Sequence, residues 1–191
     1  MRAPEKVSER RLFDPIWKKS ATLEMFVNAR TGAEYEWPIF RVALPPVNIV
    51  FALTASFEVI VIRKFQHGAD MIMTELPGGL CDGGELAEDG GRRELLEETG
   101  YEAASFCALS SEPIYFEPGS LDFRFKPFLA LDCRRVAGKD LDENEDIEVL
   151  LTPLQEWLDG IASGAILTDA KSMATTFLAA GKLGFGLENK R

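Results

Sequence analysis

The sequence predicts an α+β protein, and three observations carry that expectation. β-branched and aromatic runs dominate the first two-thirds of the chain, one helical segment interrupts them near residues 85–99, and the last third turns helical. Strands that mostly precede the helices favour helices packed on the faces of a mixed sheet.

Leu23 to Val27 and Glu34 to Trp37 flank Asn28-Ala29-Arg30-Thr31-Gly32-Ala33, the pattern of a β-hairpin with a polar turn. Pro45-Pro46 then punctuates the chain. Residues 1–45 are therefore expected to form a small N-terminal β element that meets a dimer partner or substrate, and residues 46–191 the main domain. Ile49 to Ala55 and Val59 to Phe65 carry side chains that suit a pleated, half-buried surface, with a turn near Ser56. Met71 to Leu76 reads as another strand, ended by Pro77-Gly78-Gly79. The loop Cys81-Asp82-Gly83-Gly84 leads into a helix from about Glu85 to Thr99, and Gly100 stands where a helix C-terminal glycine belongs.

Phe123 to Leu131 and Ile147 to Leu151 complete the strands. Thr152-Pro153-Leu154-Gln155 has the form of a capping box with proline in the first helical position. Leu154, Trp157, Leu158 and Ile161 follow on one face, and Gly164 ends that helix. A last helix runs from Thr168-Asp169 to about Leu183, with Met173, Phe177 and Leu178 expected to pack into the core.

Composition excludes several classes. The net charge is −10, from 21 basic and 31 acidic residues. Nucleic acid is an unsuitable partner, because phosphate backbones need clustered Lys and Arg. A phosphate-bearing substrate would need a screening cation, and a bound metal is the natural one. Cys81, Cys107 and Cys133 show neither a disulfide framework nor zinc spacing, so free thiols in a reducing compartment are expected. His67 is the only histidine, which rules out a zinc centre built on several. The N-terminal stretch has no apolar core of a signal peptide. The apolar region Val42–Ile62 is broken by Pro45, Pro46, Asn48, Ser56 and Glu58, so it is no membrane span. A cytoplasmic protein without membrane partners is expected.

Chemistry concentrates between Gly79 and Tyr101. At about 100° per residue, Glu94, Glu97 and Glu98 fall within roughly 100° of helix circumference. Like-charged pairs at this spacing cost about 0.2–0.5 kcal/mol each, a cost a divalent cation turns into binding. Hard oxygen donors favour Mg²⁺ or Mn²⁺ over zinc. Arg93 lies one turn before Glu97 and can pin it. Gly90 and Gly91 sit inside the helix at about 1 kcal/mol each relative to Ala, so tertiary contacts or a ligand are expected to hold it. An acidic helix face alone is usually just solvated; the full spacing is what argues otherwise.

Gly79, Glu85, Arg93, Glu94, Leu95, Glu97, Glu98 and Gly100 match the Nudix box, a glycine, five residues, a glutamate, seven residues, then Arg-Glu-apolar-any-Glu-Glu-any-Gly. Tyr101 stands where an aliphatic residue is more usual, and glycines replace the common alanines at 90 and 91. The resemblance to the Nudix hydrolase family implies an α/β/α sandwich around a mixed sheet. It implies that Glu94 and Glu98 are principal Mg²⁺ ligands, that Glu97 is an auxiliary ligand or catalytic participant, and that the Gly78 carbonyl joins them. Glu85 and Arg93, with the glycines 79 and 100, would support these ligands.

Outside the box the chain resembles the ADP-ribose pyrophosphatase branch. The carrying residues are Thr74-Glu75-Leu76-Pro77-Gly78-Gly79, Tyr115-Phe116-Glu117-Pro118-Gly119-Ser120, the acidic run 142–147, and Gly164-Ala165-Ile166-Leu167-Thr168-Asp169-Ala170-Lys171. That likeness implies cleavage of a pyrophosphate bond in a nucleoside diphosphate linked to another group, such as ADP-ribose. It implies a catalytic glutamate in the acidic run, either Glu143 or Glu145. Arg41, Glu75 and Pro118 are the substrate-binding candidates, and a homodimer is expected. Other substrates (GDP-mannose, a dinucleoside polyphosphate, a coenzyme) remain open. So does a non-catalytic nucleotide-sugar sensor, although such proteins usually carry a damaged box.

Overall fold

The chain folds as two units, Met1–Pro45 with Tyr115–Arg124, and Pro46–Ile114 with Phe125–Arg191. The computed structural model describes residues 2–16, 19–42, 45–141 and 145–185.

The first unit is an antiparallel sheet of β1 (Glu5–Ile16), β2 (Lys19–Val27) and β3 (Glu34–Val42), in that order. The β2–β3 hairpin pairs Val27 with Glu34. Its turn is closed by Asn28, whose Oδ1 accepts the amides of Arg30 and Thr31 at 2.9 and 3.1 Å. Such side-chain mimicry of a backbone turn is why asparagine suits this position. Strand β1, with Glu5, Lys6, Glu9, Arg10 and Arg11 among its first residues, has no apolar alternation there to announce it. The segment 115–124 joins the same unit. The Trp37 indole donates to the Gly119 carbonyl at 2.6 Å, and the Phe40 amide donates to Ser120 at 2.6 Å.

Glu24 is only 1% exposed on this sheet. It accepts from Arg41 at 2.7 Å and Thr22 at 3.0 Å, and Lys6 lies 3.1 Å away. Burial pushes its carboxyl upward, but the Arg41 and Lys6 contacts outweigh that and hold it below its ordinary 4.5. A lowered folded value stabilises the native state above the unfolded pKa, and this is lost as pH falls through the folded value. The wild-type advantage in melting temperature over Glu24→Gln is therefore expected in full at neutral pH and to shrink as pH falls below about 4.5, the ordinary carboxyl value. Melts from pH 7 to 3 check it; a gap that widens on acidification would contradict the ion-pair account.

The second unit is built on a mixed sheet of order β11-β5-β4-β10-β7, with β6 beside β5 and β8 beside β10. Its strands are β4 (Val47–Thr54), β5 (Glu58–Gln66), β6 (Met71–Glu75), β7 (Tyr101–Glu102), β8 (Ser105–Ala108), β10 (Arg124–Arg135) and β11 (Glu148–Pro153), with the short β9 (Ile114–Tyr115) before β10. β10 runs parallel to β4, whereas β5 is antiparallel to β4, β6 and β11. The near-continuous apolar run of β4 reflects burial on both faces. One face, with Ile49, Phe51, Leu53, Val59 and Val61, packs against α2 (Leu154–Ser163) and α3 (Ala170–Leu183). The other, with Val50, Ala52 and Ile60, packs against Leu95 of α1 (Ala87–Thr99). This is the α/β/α layering the sequence predicts.

Two local expectations are corrected. Thr152 caps nothing: it pairs with Val59 in β11, and Pro153 itself is the N-cap of α2, without a side-chain cap bond. The Leu154 amide donates instead to the Phe57 carbonyl at 2.9 Å. Met173 and Phe177 are not core residues; they are 45% and 62% exposed. The buried face of α3 uses Ser172, Thr175, Thr176, Ala179 and Ala180, whose small size lets the helix lie close to the sheet. Asp169 does cap α3, accepting the Ser172 amide at 2.6 Å.

Candidate active site

The site grows from the loop after β6 and the exposed flank of α1. Pro77 and Gly79 continue alongside β4: their carbonyls accept the amides of Val50 and Asn48 at 2.9 and 2.8 Å. Gly78 between them has φ +154°, and a Cβ there would stand 2.0 Å from the Asn48 carbonyl oxygen. A Cβ on Gly79 would lie 2.4 Å from the Glu94 carboxyl carbon. Only bare backbone therefore passes beneath the acids of α1. The Gly78 amide uses that proximity and donates to Glu98 Oε2 at 2.7 Å.

The two glycines inside α1 have the same explanation. Both are buried, and a Cβ would meet Asn48 and Glu85 at 2.9 Å from Gly90, or Phe106 at 3.0 Å from Gly91. Tertiary closeness, gained by omitting side chains, holds this helix against its weak propensity.

Arg93 organises the box. Its guanidinium holds Glu85 in a two-point contact, Nε to Oε1 and Nη2 to Oε2, both 3.1 Å. It also donates to the Leu80 carbonyl at 2.8 Å, Glu94 at 3.1 Å and Glu97 at 2.7 Å. This planar fork fixes carboxylate orientation as a lysine could not. Glu85 lies before the helix, in the turn its carboxylate closes by accepting the Asp82 amide. Gly100 ends α1 in the left-handed conformation, φ +77°, with its amide on Leu96 at 2.7 Å.

Of Glu94, Glu97 and Glu98, the last is buried, 2% exposed, and Glu94 is half-buried. Burial, then the Glu98 charge, push Glu94 up to about 7. Burial also raises Glu98, against the pull of Lys64, whose ammonium lies 3.0 Å from Glu98 Oε1. The last turn of α1 has no basic residue, so both Glu97 and Glu98 face the unfavourable end of the helix dipole. Three destabilising terms (burial, mutual repulsion and the dipole) converge on one carboxylate cluster. Among the described residues, no three acidic, His or Cys side chains converge into a ready metal cage; Arg93 and Lys64 hold the carboxylates instead. Oxygen donors this crowded suit a hard divalent cation, and the space a Gly79 Cβ would fill lies beside the Glu94 carboxylate.

Other candidates divide. Glu145 comes near enough for its charge to raise both Lys64 and Glu98. Glu143 lies outside the described residues. Glu75 is buried at the end of β6, accepting from Gln66 at 2.8 Å. Arg41 and Pro118 belong to the first unit and line a cavity of about 240 Å³ with Tyr115, Asp122 and Arg124. Sequence reasoning missed Lys64. The available signal was its period-two register with Ile60 and Ile62, which puts a charge on a buried face.

Residues 44–164 match the NUDIX domain family, and the chain belongs to the Nudix hydrolases. It is 32% identical over 129 residues to an ADP-ribose pyrophosphatase of Bacillus subtilis, covering 67% of this chain and 68% of that one. A putative nudix hydrolase 2 of Caenorhabditis elegans is 28% identical, over 61% of this chain and 55% of its own length. The crystal structure of an ADP compounds hydrolase superimposes with a TM-score of 0.82 at 18% identity, covering 98% of each chain. The fold is therefore a Nudix fold.

Proposed function

We infer that this enzyme hydrolyses the pyrophosphate bond of a nucleoside diphosphate linked to another group, with ADP-ribose or a related nucleotide sugar as substrate, giving a nucleoside monophosphate and a sugar phosphate. The observation that carries this is the pair of buried Glu98 and half-buried Glu94 beside the bare backbone of Gly78 and Gly79. Likeness to an ADP-ribose pyrophosphatase supports the substrate class.

In this reading Glu94 and Glu98 would hold Mg²⁺ or Mn²⁺, with Glu97 and the Gly78 carbonyl as further ligands. When bound, the metal neutralises phosphoryl charge and lowers the pKa of water. Arg93 keeps Glu85, Glu94 and Glu97 oriented. Glu145 or its neighbour Glu143 accepts the proton of the attacking water. Arg41, Glu75 and Pro118 contribute to substrate binding. The exposed Trp37 and Phe40 of the first unit support a homodimer formed through that sheet.

The test is a chromatographic panel of ADP-ribose, GDP-mannose, a dinucleoside polyphosphate and a coenzyme, each with Mg²⁺ and with EDTA. AMP and ribose 5-phosphate are expected from ADP-ribose only with metal. No cleavage of any member would refute the reading.

A further inference from the structure

The geometry points to a cation exchange at Glu98: Lys64 is the counter-ion of the metal-free site, and it swings to Glu75 when a divalent ion binds. This rests on the metal reading above.

Both oxygens of Glu98 already have donors. Oε2 accepts the Gly78 amide, and Oε1 accepts Lys64. The Gly78 amide is fixed, because the flanking carbonyls of Pro77 and Gly79 are hydrogen-bonded into β4. Lys64 is a point charge on a flexible four-carbon stem. A divalent ion on Glu98 repels that ammonium, and of the two donors only Lys64 is free to leave.

Its destination is defined by the sheet. Glu75 pairs with Ile62 across β5–β6, and Lys64 pairs with Met73. Lys64 and Glu75 are thus diagonal neighbours on one face, about 7–8 Å apart and within reach of a long side chain. Glu75 is 4% exposed. Its Oε2 is taken by Gln66, while its Oε1 is buried without a hydrogen-bond partner. A buried carboxylate oxygen left so is costly. Lys171, the other cation near it, is paired with Asp169. Glu75 is therefore an acceptor kept for an incoming donor, and Lys64 already feels its charge.

The test is Mn²⁺ binding by titration calorimetry, without substrate, on wild type, Lys64→Met, Glu75→Gln and the double variant, with melting temperatures in EDTA. Lys64→Met should bind Mn²⁺ about five- to fiftyfold more tightly and melt lower in EDTA. Glu75→Gln should bind more weakly by a similar factor while melting as wild type does. The double variant should bind as Lys64→Met does, because with no ammonium to receive, Glu75 has no part in the exchange. Wild-type or weaker affinity in Lys64→Met overturns the exchange, as does an undiminished Glu75→Gln effect in the Lys64→Met background. Lys64→Gln replaces Lys64→Met if the latter fails to give a native circular dichroism spectrum. Failure of the wild type to bind Mn²⁺ would overturn the metal reading itself, whereas wild-type binding with unaltered Lys64→Met overturns the exchange alone.

Discussion

Glu98→Gln should lower turnover by about 10²–10⁴-fold and leave the melting temperature within a few degrees of wild type. Under the proposed metal reading the loss follows from removing one ligand of an ion that would supply several kcal/mol of transition-state stabilisation, each 1.36 kcal/mol being tenfold. Stability is spared because Glu98 is a buried acid that burial already disfavours in its charged form. A neutral amide keeps an acceptor for the Gly78 amide and removes the charge that repels Glu94. The Lys64 ammonium, which then faces an NH2 group, has the diagonal Glu75 carboxylate to turn to under the exchange proposed above. Steady-state turnover with Mg²⁺, together with thermal melts, checks both halves. Near-normal turnover would sink the metal assignment.

Trp157→Ala should do the opposite, destabilising the second unit by about 3–5 kcal/mol, the range for deleting a large aromatic from a core. For a chain of this size that is about 6–20 °C in melting temperature. Trp157 is fully buried, and its indole donates to Thr176 Oγ1 at 2.9 Å, joining α2 to α3. The variant leaves a cavity against Val59 and Val61 as well as an unpartnered hydroxyl. Thermal melts followed by circular dichroism decide the matter; a loss under about 1 kcal/mol would mean the helix pair contributes little to the core.

Much of the fold was legible because its patterns are local. The apolar run of β4, the hairpin turn at Asn28 and the acid spacing of α1 each lie within a short window of sequence. What escaped depends on partners distant in the chain. Strand β1 becomes a strand by pairing with β2, and its charges find Glu24 only in the folded sheet. Residues 115–124 join the first unit through bonds to Trp37 and Phe40, some eighty positions earlier, which no periodicity encodes. Phe177 reads as core by spacing, yet the sheet accepts the hydroxyl and alanine face of α3 because a close approach needs small side chains. In the site, box spacing located the acids and Arg93; the register of Lys64 marks a charge on a buried face, but its partner Glu98 is fixed only once β5 and α1 are packed together.

The carbonyls that end α1 do not face water alone. Glu97 accepts the Asp140 amide at 2.9 Å, and Gly100 accepts Val136 at 2.9 Å and Ala137 at 3.2 Å. Residues 136–140 are thereby stitched to the turn that bears Glu97 and Glu98, and Lys139 reaches on to the Ile147 carbonyl, just past Glu145. Backbone from two distant stretches is thus tied to one helix end. Peeling that strip away would take these partners from the end carbonyls of α1 and fray the helix end as well.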